Sequence, residues 1–65
     1  MNAYGNYVKV ESATRQMIAR CEDQMRQEAL KFLQNMDQPI EKMGDLQIIV
    51  RERDGCATVG WKVYI

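Results

Sequence analysis

The side chains best suited to nucleophilic, acid-base or metal chemistry are two thiols, Cys21 and Cys56, and nine carboxylates, in a chain with no histidine. Nucleophilic catalysis needs a hydroxyl or thiol activated by a nearby base. Without an imidazole to supply one, Ser12 reads as a helix cap rather than a nucleophile. Cys56 sits beside a turn between Arg53 and Asp54, whose opposite charges offset each other at its sulfur. Cys21 falls in an apolar stripe, where an inert buried thiol is the expectation. Two cysteines without histidine cannot close a tetrahedral zinc site, nor do they form a disulfide framework. Glu22, Asp23, Glu41, Asp45, Glu52 and Asp54 follow no calcium-loop spacing, and no glycine-rich phosphate loop is present. The chain is therefore expected to be no enzyme, with no metal and no cofactor.

A different set of residues has the chemistry of binding. Tyr7, Lys9, Ile49, Arg51, Arg53, Lys62 and Tyr64 combine four cations, two aromatic rings and one aliphatic side chain. Cations interleaved with aromatics can follow phosphates and stack bases. The same mixture also suits contact with another protein. Either use requires these residues to share one surface, and the strands that carry them decide whether they do.

The stretch RERDGCATVGW centres on Asp54-Gly55, the strongest short signal for a two-residue hairpin turn. If those two residues form a type I′ turn, Arg53 pairs with Cys56, Val50 with Val59, Ile48 with Trp61 and Leu46 with Val63. Apolar then meets apolar along one face, whereas a slip of one residue would oppose apolar to polar throughout. Strands are thus predicted over Leu46–Arg53 and Ala57–Ile65. A further strand is predicted over Tyr4–Val10, regular from Tyr7 and weakened at its start by Gly5 and Asn6. The alternate face collects Tyr7, Lys9, Gln47, Ile49, Arg51, Arg53, Thr58, Gly60, Lys62 and Tyr64. Gly60 lies opposite Ile49 there and leaves it open to contact.

Between the first strand and the hairpin, Ile18, Cys21, Met25, Ala29, Phe32 and Met36 recur every three or four residues, the period of an α-helix. Ser12 is the predicted cap, and Pro39 should stop the helix near Asn35 to Gln38. The whole chain reads as one α+β domain over residues 1–65: β-α-β-β, a three-stranded sheet with one long amphipathic helix packed on one face. Strand order stays open. The predicted core is Leu46, Ile48, Val50, Val59, Trp61 and Val63 against the helical stripe, with Val8 and Val10 beside them.

A chain of 65 residues builds a thin core, and the helix is longer than the strands it covers. Self-association through Met17, Ile18, Cys21, Met25, Phe32 and Met36 is the expected remedy, as a homo-oligomer and most simply a two-fold dimer. Nine basic residues balance nine acidic ones, so no global field selects nucleic acid or an anionic membrane. The absence of a signal-like or membrane-spanning apolar run points to the cytoplasm, with both thiols reduced. The functional expectation is a small interaction module that binds an unidentified protein as an accessory factor or inhibitor, of the kind phages and mobile elements encode. The alternative is single-stranded nucleic acid or a small anionic ligand bound on the basic and aromatic face.

Overall fold

The Asp54-Gly55 turn closes as its sequence predicts. In the computed structural model, which describes residues 1–65, the two residues have φ of 53° and 79°. Both lie in the left-handed region that a type I′ turn requires and that glycine enters without steric cost. The chain runs β1 (Ala3–Val10), α1 (Arg15–Asn35), a short 3-10 helix (Ile40–Asp45), β2 (Gln47–Arg53) and β3 (Cys56–Tyr64). The sheet order is β1-β3-β2, and both outer strands are antiparallel to β3. This is the expected α+β, β-α-β-β fold.

The hairpin register agrees with the side-chain argument pair by pair. Val50 meets Val59, Ile48 meets Trp61 and Arg53 meets Cys56. Leu46 ends the 3-10 helix instead of extending β2, so the predicted Leu46–Val63 pair does not form. On the other side of β3, Val8 meets Val59 and Val10 meets Ala57. The backbones of Asn2 and Ile65 exchange hydrogen bonds of 2.7 and 2.9 Å, which continue the same ladder to the chain ends.

The helix begins later than expected. Its cap is Thr14, whose hydroxyl accepts from the Met17 N–H at 3.2 Å. Ser12 instead has φ 51° and belongs to the tight reversal after β1. That reversal is held down where the Ala13 N–H donates to the Gly55 carbonyl at 2.9 Å. Holding the loop onto the hairpin turn moves the first free helical N–H groups past Ser12, within reach of Thr14. At the other end Asp37 takes φ 54°, the Asp37 N–H donates to Gln34 O and the Gln38 N–H to Leu33 O. These are the two bonds of a Schellman motif, with Pro39 following.

α1 lies chiefly over β3. The core consists of Ile18, Met25, Ala29 and Leu33 packed on Ala57, Val59, Trp61 and Val63. Phe32 is half-buried and stacks between Tyr4 and Trp61, at ring-centre distances of 5.1 and 5.3 Å. Ile48, Leu46 and Val8 pack at the margin. Val50, expected in the core, is 38% exposed because its strand lies at an edge, away from the helix axis. The 3-10 helix places Met43 against the core in a segment the sequence presents only as a connection. One side-chain hydrogen bond ties the helix to the sheet, from Asn6 Nδ2 to Glu28 Oε1 at 2.7 Å.

Candidate functional site

Because side chains alternate across a pleated strand, burying Ala57, Val59, Trp61 and Val63 under the helix turns Thr58, Gly60, Lys62 and Tyr64 to the opposite face. The register then builds that face in rows. Lys9, Thr58 and Arg51 lie side by side, then Tyr7, Gly60 and Ile49, then Gly5, Lys62 and Gln47. Arg53 lies beyond the first row next to Cys56, and Tyr64 beyond the last next to Ala3. All seven candidate binding residues thus share the sheet face that the helix leaves uncovered.

The middle row is a depression. Gly5 and Gly60 form the floor of a groove of about 430 Å³, with Tyr7 and Ile49 on either side. A Cβ at Gly60 would stand 2.7 Å from the Asn6 carbonyl oxygen and 3.0 Å from Tyr7 Cβ. One at Gly5 would collide with the Trp61 carbonyl oxygen. The two glycines therefore let β1 and β3 approach closely; Gly5 is exposed, whereas Gly60 is itself buried among its neighbours and adds no side chain to the floor. Gly60 has its role visible in the sequence, opposite Ile49. Gly5 reads there only as a weak spot in β1; the alternation running back from Tyr7 is the signal that turns it to this face. Toward the hairpin turn a second depression of about 530 Å³ continues the first, sharing Arg51 and Thr58 with it and lined further by Lys9, Arg53, Glu11 and Asp54.

Charge on this face has one sign at its centre. The ion pairs of the molecule are Arg26 with Glu22 and Asp23, Lys42 with Asp45, and Arg53 with Asp54. Lys9, Arg51 and Lys62 take part in none of them. The Lys62 ammonium lies 4.9 Å from the centre of the Tyr64 ring, a cation-π contact that occupies one face of that ring. Tyr7 is 63% exposed and free of such a contact. Tyr7 pairs with Gly60, so the two tyrosines are four residues apart along β3, roughly 13 Å at strand rise.

The residues expected to mediate self-association are mostly spent inside the molecule. Ile18 and Met25 are buried in the chain's own core, Phe32 lies between two rings, and Cys21 is packed beside them. Only Met17 and Met36, at the helix ends, remain open, at 36% and 42%. The apolar stripe is therefore a core face and not a vacant one. Cys56 is an exposed free thiol. No three acidic or thiol side chains converge as a metal site would require. No helix is long and apolar enough to cross a membrane.

Comparison with known proteins finds no matching family model, no matching curated relative and no matching solved structure.

Proposed function

We propose that the chain is a non-enzymatic protein-interaction module, an accessory or inhibitor protein, and that its working surface is the uncovered face of the sheet. The observation that supports this reading most is the groove lined by Gly5 and Gly60, with Tyr7 and Ile49 on either side. Protein interfaces draw most of their affinity from a few apolar anchors seated in pockets and surrounded by a polar rim. The groove offers such a seat, and Lys9, Arg51 and Lys62 offer the rim. A second copy of the chain is a poor occupant, because face-to-face pairing would bring Lys9, Arg51 and Lys62 against like charges, with Glu11 and Asp54 only at the hairpin-turn end.

The unpaired cations also favour a second reading, an anionic ligand or single-stranded nucleic acid. Against nucleic acid stands the spacing of the rings. Tyr7 and Tyr64 are too far apart to stack successive bases, and Lys62 already covers one side of Tyr64.

Panning a random peptide library against the protein tests the reading. Enriched peptides should lose binding to Tyr7→Thr and Ile49→Thr and keep it with Gln24→Ala, on the exposed side of the helix. Binders that ignore both groove substitutions would refute the assignment of this face. A fluorescent oligonucleotide, measured at low and physiological salt, provides the other arm. Salt-sensitive binding that is abolished in Arg51→Ala and Tyr64→Ala would favour nucleic acid instead.

A further inference from the structure

Resting on the reading of this face as a protein-binding surface, we infer the chemistry of its occupant: an extended acidic segment with one bulky apolar residue and a carboxylate two residues to either side of it. The inference comes from matching periods. Along β3 the outward positions Thr58, Gly60 and Lys62 are two residues apart, which is roughly 7 Å per step. An extended segment lying along β3 presents its own alternate side chains at the same step. If one of them enters the groove over Gly60, the next in one direction falls between Lys9 and Arg51, which flank Thr58 on the two neighbouring strands. The next in the other direction falls at Lys62.

The residue types at the three stations select the occupant. The central station has no side chain of its own and is bounded by a ring and an aliphatic group, so it accepts an aromatic or branched aliphatic side chain. The first flanking station lies between two long cations on opposite strands, neither with a carboxylate of its own, and one carboxylate can be reached by both. The second has the Lys62 ammonium, held near Tyr64. A basic segment would meet repulsion at both ends. A segment with its carboxylates adjacent to the apolar residue would point them away from the sheet, since neighbours on a strand face opposite ways. Charge and periodicity therefore select the same pattern.

The test uses the full chain, labelled with 15N, and four synthetic peptides: Ser-Glu-Ser-Phe-Ser-Glu-Ser, its lysine counterpart Ser-Lys-Ser-Phe-Ser-Lys-Ser, its alanine counterpart Ser-Glu-Ser-Ala-Ser-Glu-Ser, and the respaced Ser-Ser-Glu-Phe-Glu-Ser-Ser. The first should move the amide signals of Thr58, Gly60 and Ile49. It should bind about tenfold more tightly than the lysine and alanine peptides, the usual loss when an interface anchor or a matched charge is removed. The respaced peptide should bind severalfold more weakly. In the double variant Lys9→Gln, Arg51→Gln the preference over the lysine peptide should largely disappear while the fold, read from the undisturbed signals of the helix, persists. Equal binding of all four peptides at these amides would overturn the acidic pattern and leave the surface assignment standing. So would silence of all four alongside library peptides that do bind there. If neither set moves these signals, both readings fail. If a thymidine octanucleotide moves them and the acidic peptide does not, the occupant is nucleic acid and both again fail.

Discussion

The two faces of β3 are made from alternate residues of one nine-residue strand, yet they do opposite work. Ala57, Val59, Trp61 and Val63 are at most 5% exposed and share a core with four helix residues. Thr58, Gly60, Lys62 and Tyr64 meet no covering layer, and their neighbours on β1 and β2 supply unpaired cations, a ring and an aliphatic wall. Stability is concentrated on the covered face because burial is the main favourable term in folding. The uncovered face is free to carry features that would be costly in a core, among them like charges and a glycine floor. Eight of 65 residues form the buried core, Gly60 on the other face being the ninth buried residue, so the covered face has little to spare.

Substitutions on the two faces should therefore separate stability from binding. The largest effect belongs to Leu33→Ala, at a position 2% exposed. It removes buried methyl groups beneath β3 and should cost about 2–5 kcal/mol. In a domain whose core rarely supplies more than about 3–5 kcal/mol, urea titration should find the variant largely unfolded before denaturant is added.

Gly60→Ala is the substitution that breaks the division. It lies on the uncovered face, but its Cβ would press on the Asn6 carbonyl oxygen at 2.7 Å, and the strands must shift to admit it. A loss of about 1–3 kcal/mol is expected by urea titration, together with a shallower groove. A stability equal to the parent would mean that β1 and β3 do not approach as closely as the register implies.

The smallest effects belong to Tyr7→Thr and Ile49→Thr, which keep a residue suited to a strand. Each should change stability by less than about 0.5 kcal/mol while removing peptide binding at the groove. Thermal melts beside the peptide titrations check this. A large drop in melting temperature would show that the groove walls also support the fold.

Much of this arrangement was legible beforehand. The hairpin follows from Asp54-Gly55 together with the alternation of LQIIVRER and ATVGWKVYI, two local signals with a single register in common. The helical period places Ile18, Met25 and Ala29 correctly, but it counts Met36 into the stripe and leaves out Leu33. A 3.6-residue period fits either set near the end of a helix, and contact with the sheet chooses between them. Ser12 and Thr14 are both acceptable caps by type. The hydrogen bond from Ala13 to the hairpin turn, between residues distant in sequence, gives the role to Thr14. The same apolar period suits a core face and a self-association face, and Ile18 and Met25 of that stripe are buried against the chain's own sheet.

The sequence by itself determined the order β-α-β-β, the hairpin register and which residues of each strand share a face. Turn chemistry and alternation act between residues close along the chain, so local patterns suffice for them. Only the tertiary structure decided that β1 joins the free edge of β3 and not that of β2. This choice sets Lys9 across Thr58 from Arg51, places Gly5 beside Lys62 and joins two separate glycines into one groove floor. Residues some fifty positions apart meet there, and no local propensity selects between two sheet edges. The choice belongs to the packing of the helix, which must cover the central strand and return the chain to the far edge of the sheet.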